Sequence, residues 1–219
     1  MIKLSILELK WATAHLNGDA WFQHHVLRRK VFIDRMAWGI PQADGAEYDQ
    51  YDTPASWYIL WMSESGRVQG AVRLVPTTMP YMSLDLWPEM LGGHQPKDPK
   101  VWEATRFCCD HDLGPHERAR VISGLVEGCQ RFGLKNGIDH YIGVMPVMIF
   151  KRSLGASGCD FEILGPTQKI EGLETGAARI PVSAKILRRI RVISLAREMK
   201  ILERDRADDP DPDPALIPA

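Results

Sequence analysis

The sequence lacks any apolar run close to the roughly 18 residues that a membrane-spanning helix needs. Residues 1–11 alternate polar and apolar side chains, with no apolar leader core followed by small residues at a cleavage site. A membrane span is thereby excluded, and a cytoplasmic location is expected rather than secretion. Cysteine is scarce: Cys108, Cys109, Cys129 and Cys159 form no CxxC pair. Such residues read as reduced, buried thiols, not as a disulfide frame. An excess of one charge is also missing. Lys and Arg number 27 against 28 Asp and Glu, a net charge of −1, so no global field recruits nucleic acid. The calcium-loop pattern of alternating acids before a glycine is absent. His24, His25, His111 and His116 make no convincing ligand set, and no metal or cofactor is expected. No internal repeat is visible.

What remains is a 219-residue chain that is 45% apolar. That suffices for one large domain with its own core. Residues 205–219, acidic and proline-rich, read as a disordered tail, leaving 1–204 as a single folded domain. Periodicity predicts a strand over 2–9 and a helix over 20–36 with Asp19 as N-cap. A long loop over 39–54 follows, then strands over 56–62 and 68–75 joined at Ser65-Gly66. A short helix is expected near 84–91, a strand over 101–110, and a helix opened by Gly114-Pro115 with Gly133 near its end. Further strands are expected over 140–144, 159–164 and 169–180, a short helix over 146–154, and a last helix over 183–204. Strands that alternate with helices, with hairpins among them, predict an α/β fold: a mixed sheet flanked by helices.

Several side chains stand out against this frame. Asp44, Glu47, Asp49 and Asp52 crowd one loop without a Lys or Arg among them. Carboxylates so close raise one another's pKa unless a cation is supplied. The plain alternative is a solvated acidic loop. Arg28 and Phe32 share a helix face, and Trp38 lies six residues on. An arginine beside two aromatics suits a carboxylate and a sulfonium or adenine, although an amphipathic helix with a surface arginine has the same pattern. Arg73 interrupts the apolar strand 71–75 and, if buried, must find a partner, for which the acidic loop is the natural source. Glu103 and Arg106 lie three apart on one strand. They face opposite sides unless a β-bulge turns both toward one cleft. Segment 183–206 holds Lys185, Arg188, Arg189, Arg191, Arg197, Lys200, Arg204 and Arg206 against three acids. This stripe suits an acidic protein partner or a phosphate-bearing ligand, or is simply a solvated face.

Together these positions resemble the acyl-homoserine-lactone (autoinducer) synthases of the LuxI type. The signature is Arg28-x3-Phe32-x5-Trp38, Glu47-x-Asp49-x2-Asp52, Arg73 and Glu103-x2-Arg106, spread over about residues 20–165. The resemblance implies a fold similar to the GNAT acetyltransferases: a twisted mixed sheet with a V-shaped cleft, here between the strands near 102–108 and 140–144. It also implies an acyltransferase that makes a quorum-sensing signal from S-adenosylmethionine, a substrate and not a cofactor, and an acyl thioester, releasing methylthioadenosine. Asp49 would then meet the substrate amine, and Glu103 would act as base. Arg28, or else Arg106, would hold the methionyl carboxylate. Phe32 and Trp38 would wall the adenosine or sulfonium end. Glu47, Asp52 and Arg73 would complete a charged network.

The acyl donor is expected to be acyl carrier protein rather than coenzyme A. His111-Asp-Leu-Gly114-Pro-His116 lacks the second small residue of a pyrophosphate loop. The basic last helix, with Lys151 and Arg152, also suits an acidic carrier. Met145, Met148 and Ile149 are the candidates for an acyl pocket, though plain core is the commoner fate of such residues. The stretch 141–146 carries no hydroxyl besides that of Tyr141, which leans against an oxygen at the third acyl carbon. Competing readings are a GNAT-type acyltransferase acting on another amine and a ligand-binding relative without catalysis.

Overall fold

A computed structural model describes residues 6–208. Residues 1–5 and 209–219, which include most of the expected tail, lie outside the described residues. Strand β1 (Ile6–Lys10) leads through a tight helical turn, Trp11–Asn17, into α1 (Ala20–Arg28). That turn is absent from the periodicity reading. Asp19 makes no side-chain cap; its carbonyl accepts the Gln23 amide instead. The helix continues as a wider π-helical stretch, Arg29–Arg35. Such stretches gather at functional sites. This one ends with the Trp38 amide donating to the Phe32 carbonyl at 2.9 Å, which fixes the two aromatics together.

The expected loop 39–54 contains a small hairpin, β2 (Gln42–Ala43) and β3 (Ala46–Glu47). Asp44 and Gly45 turn it with φ of 50° and 79°, the left-handed pair of a two-residue hairpin. Strands β4 (Trp57–Met62) and β5 (Val68–Pro76) form the predicted hairpin. Next come α2 (Met82–Leu86), a 3-10 turn Pro88–Leu91, and β6 (Val101–Cys109). Helix α3 (Pro115–Lys135) runs past Gly133, so that residue packs inside the helix, and Gly137 takes the left-handed φ of 67°.

Strand β7 (His140–Pro146) is followed by α4 (Val147–Ile149) and by further helical turns, Phe150–Leu154 and Gly155–Ser157. Strand β8 (Glu162–Ile163) is short. The single strand expected over 169–180 is in fact a hairpin, β9 (Gln168–Ile170) and β10 (Leu173–Pro181). Glu171 and Gly172 turn it with φ of 51° and 78°. Helix α5 (Ala184–Asp208) extends four residues past the expected 204. Among the described residues no helix is long and apolar enough to cross a membrane.

The main sheet runs β1-β4-β5-β6-β7-β10-β8, with β9 on β10. All pairs are antiparallel except β6 and β7. That parallel pair holds register only over Val101–His140, Trp102–Tyr141 and Glu103–Ile142, although both strands continue. Beyond it they splay into the expected V. One face of the sheet packs α3 and α5 through Val121, Leu125, Phe132, Ile186 and Ile190. The other packs α1 through Leu27, and its π-helical continuation through Val31 and Phe32, onto Tyr58, Leu60 and Ala71, and the α2 region onto Val75 and Ile142.

Gly143 stands where the splay begins. A Cβ there would lie 2.8 Å from the Ala104 carbonyl oxygen, too close for backbone that cannot rotate away. We predict that Gly143→Ala destabilises the protein by about 1–3 kcal/mol in urea unfolding, the usual cost of overpacking. A variant as stable as the parent would show that the strands part without strain.

Candidate active site

Alternation along β5 directs Arg73 to the α1 face, in one cross-sheet row with Tyr58 of β4 and Thr105 of β6. On β6 the register slips. Ala71 pairs with Cys108 but Arg73 with Thr105, so Val72 faces both Arg106 and Phe107. Of the two readings that the Glu103/Arg106 spacing leaves open, opposite faces or a β-bulge, this is the bulge, and Arg106 takes φ of 53° within it. Glu103, Thr105 and Arg106 consequently share the α1 face.

Three arginines meet three carboxylates there. Arg28 donates through Nε to Glu47 at 2.5 Å and through Nη1 and Nη2 to both Asp52 oxygens at 2.8 and 2.9 Å. Arg73 grips Asp49 at 2.5 and 3.1 Å and donates from Nε to Thr105. Arg106 reaches Glu47 at 3.1 Å and Asp49 at 2.6 Å. Tyr58 donates to Asp52 at 2.8 Å. Burial works against the charge on Asp52, but Arg28 and Arg73 override it and hold the carboxyl well below the usual carboxylate range. Burial opposes Asp49 in the same way, and Arg73 with Arg106 again wins and lowers its pKa.

The cation that the acidic loop called for comes from within the chain: Arg28, Arg73 and Arg106 neutralise Glu47, Asp49 and Asp52. Arg28 is fully buried and bound to Glu47 and Asp52 by all three guanidinium nitrogens, so it has little left for a substrate carboxylate. Arg106 is different: among the described residues its Nη1 meets only the Met82 sulfur, at 3.3 Å, a weak acceptor. Its guanidinium lies 5.6 Å from the centre of the Phe32 ring, and Phe32 stacks on Trp38 at 5.1 Å.

Glu103 stands apart from the network. Its oxygens accept the backbone amides of Met82 at 3.1 Å and Ser83 at 2.6 Å, tying α2 to β6. Burial raises its pKa, against the opposing pull of those hydrogen bonds and Arg73.

On the opposite face, Ala104 and Phe107 of β6 and Met145 of β7 line an apolar slot of about 30 Å³, floored by Val126 and Cys129 of α3. Met145 is the one residue of the expected acyl set that lines it. Met148 is 45% exposed and borders a separate open depression beside Gly172, and Ile149 does not line the slot. The other walls, Leu154, Cys159 and Ile180 among them, come from distant segments with no shared sequence signal. Asp110, His111 and Asp112 bring potential ligand atoms within 4.8 Å of one another. Lys30, however, already donates to both of these carboxylates, at 2.6 and 2.5 Å.

A splayed parallel pair, a bulge at its mouth and helices on both faces define an acyltransferase fold of the GNAT kind. The autoinducer synthase family model matches residues 15–190. An acyl-homoserine-lactone synthase of Ralstonia solanacearum is 41% identical over 175 residues, 76% of this chain and 83% of the relative. One from Pseudomonas aeruginosa is 32% identical over 74% and 82%. Among solved structures, the CoA-dependent synthase BjaI with SAM and isopentyl-CoA superposes with a TM-score of 0.78 at 26% identity, covering 87% of this chain and 89% of that one. TofI in a ternary complex with an inhibitor and MTA gives 0.72 at 25%, covering 85% and 96%. The chain belongs to the autoinducer synthase family, whose members named above are acyltransferases.

Two adjacent histidines on α1 bear on stability. His24 and His25 are fully buried against Trp21 and Tyr58, and neither Nε2 atom has a partner among the described residues. Burial, with Arg28 nearby, lowers the His25 pKa from 6.5 to about 4, and burial with His25 and Arg28 lowers that of His24. Neutral in the fold, they take up protons on unfolding, so their contribution is present above pH 6.5 and lost as pH falls toward 4. We predict a melting temperature flat above about pH 7 that drops between pH 6.5 and 4, with a smaller drop in His24→Phe. Equal drops would remove His24 from the account.

Proposed function

We propose that this enzyme joins S-adenosylmethionine to an acyl thioester and releases an N-acyl-homoserine lactone, methylthioadenosine and the free thiol carrier. The observation that carries the reading is the two-sided β6 strand. Its bulge presents Arg106, Asp49 and the Phe32–Trp38 stack on one face, while Ala104 and Phe107 open an apolar slot on the other. A charged sulfonium amino acid and an acyl chain can therefore approach one strand from opposite sides.

Two bonds form. The methionyl nitrogen attacks the thioester carbonyl, the carbon–sulfur bond breaks, and the thiolate leaves and is protonated. The methionyl carboxylate oxygen then attacks the carbon bearing the sulfonium, and neutral methylthioadenosine departs. In this scheme Arg106 Nη1 holds the carboxylate and Asp49 the ammonium, while Phe32 and Trp38 bound the sulfonium end. Arg28, Glu47, Asp52 and Arg73 keep these groups in place. Glu103 takes the ammonium proton through one water, after the oxygen with the longer contact, to the Met82 amide, lets go. Its raised pKa favours that task. β6 amides beyond Glu103 have no ladder partner on β7 and are suited to an oxyanion.

Acyl carrier protein is the donor we favour. Asp110, Asp112 and Glu117 stand around the start of α3, and Pro115 removes one amide there, a poor seat for a pyrophosphate. Lys151, Arg152 and Arg188 are exposed on the surface joined by the Arg189–Gly158 and Arg197–Ala156 contacts. Coenzyme A is the second reading, favoured by the superposition on BjaI. The unpaired cysteines suit a reducing cytoplasm.

The test is labelled S-adenosylmethionine with matched acyl-carrier-protein and acyl-CoA donors, followed by organic extraction and mass analysis. We expect lactone and methylthioadenosine in equal amounts, with the carrier protein about tenfold faster or more. No lactone from any donor defeats the proposal; faster turnover with CoA defeats only the donor choice. Asp49→Asn and Glu103→Gln should each lower turnover about a hundredfold or more with circular dichroism unchanged, and Glu103→Gln should flatten the acidic limb of the pH profile. Near-normal rates in both would remove these roles.

The slot also bears on the acyl chain. Its polar groups are already spent: Tyr141 donates to the Cys129 carbonyl at 2.7 Å, and Gln130 bridges the Pro181 carbonyl and the Ser183 amide. An oxygen at the third acyl carbon would go unpaired, at about 1–3 kcal/mol. We expect plain acyl donors to exceed 3-oxo donors in kcat/KM by about tenfold or more. The reverse preference would mean that the chain binds elsewhere.

A further inference from the structure

Lys30 lies in the π-helical stretch, two residues before Phe32. Its ammonium donates to Asp110 at 2.6 Å and to Asp112 at 2.5 Å. Asp110 directly follows β6, four residues after Arg106, and is buried. Its amide donates to the Gln69 carbonyl at 2.8 Å, and its second carboxylate oxygen accepts Arg67 at 3.2 Å. The Asp112 amide donates back to the Asp110 carboxylate at 3.2 Å. Among the described residues, this is the one ion-paired link from the π-helical stretch to another segment of the chain.

The end of β6 is a place where such a link matters. Past Glu103 the strand has no ladder partner on β7, and its backbone is held by β5 alone. Phe32 shares an apolar cluster with Cys108 of that part of the strand, but apolar packing is non-directional. An ammonium shared by two carboxylates fixes position as well as proximity.

From this arrangement we propose that Lys30 is a positioning residue for S-adenosylmethionine. By pinning the helical stretch to the free end of β6, it sets the 5.6 Å separation between the Phe32 ring and the Arg106 guanidinium. The methionyl carboxylate and the sulfonium are assigned to that gap by the function proposed above, and the inference rests on that reading. Lys30 acts through these two side chains and not on the reacting atoms. The acyl slot lies on the opposite face of β6, and no residue of the link lines it. Loss of the link should therefore weaken one substrate and spare the other.

The test is initial rates with each substrate varied against saturating amounts of the other, together with equilibrium dialysis of labelled S-adenosylmethionine. We expect Lys30→Met to raise the KM and the Kd for S-adenosylmethionine about tenfold, with kcat and the KM of the acyl donor changed by no more than about twofold. Lys30→Arg, which keeps the charge, should recover most of the affinity. Asp112→Asn removes only the exposed partner and should move the same two constants by about twofold to threefold. It decides the matter if Lys30→Met does not fold by circular dichroism. Unchanged S-adenosylmethionine affinity in the folded variants overturns the proposal, and so does an equal loss for both substrates, the mark of general loosening. A parent enzyme that binds no S-adenosylmethionine defeats the proposed function, and this inference with it.

Discussion

Three guanidinium groups and three carboxylates, buried together and balanced, form the interaction on which the site depends. Moving each ion out of water costs several kcal/mol, and the attraction offsets this only when nearly every donor and acceptor is met. Here they are met. Arg28 takes Glu47 and Asp52, Arg73 takes Asp49, and Arg106 bridges Glu47 and Asp49. These residues come from α1, from β3 and the turn after it, and from β5 and β6. The cluster thus sets where four separate segments lie relative to one another. Removing one member leaves a buried charge unpaired, so the cluster behaves as a unit.

The second determinant is backbone rather than side chain. One extra residue in β6 at Arg106 changes which side every later side chain faces. Without it, Arg106 would point at α3 and Phe107 at the acidic loop. With it, the arginine joins the carboxylates and the phenylalanine joins the apolar slot. Loss of pairing between β6 and β7 past Glu103 opens the space that these faces line, and Gly143 allows the strands to touch before they part. Fold and chemistry are joined in this one strand, and the proposed reaction uses both of its faces.

Much of this was legible in the chain. The six-residue step from Phe32 to Trp38 marks an aromatic pair, and the structure stacks it across a π-helical stretch. Arg73, charged within an apolar strand, needed an acid and found Asp49. The three-residue step from Glu103 to Arg106 left a choice between opposite faces and a bulge, and the structure has the bulge. Other features left no local trace. Nothing in the spacing says that Arg28 would be consumed by Glu47 and Asp52, or that Glu103 would hold the amides of α2. Met148 has the same apolar character as Met145, yet one is on the surface and the other in the slot. The turns at Asp44-Gly45 and Glu171-Gly172 show why short hairpins escape a periodicity reading, since two or three strand residues are too few to display a period.

By itself the sequence determined the sheet, most helices, the family and the residues that meet at the charged site, because hydrophobic period and residue type are local properties carried by each segment. Only the tertiary structure decided which charges satisfy one another and which walls enclose the slot. Those outcomes depend on distances between segments far apart in the chain. Burial makes a charge or a methyl count only once its neighbours are in place.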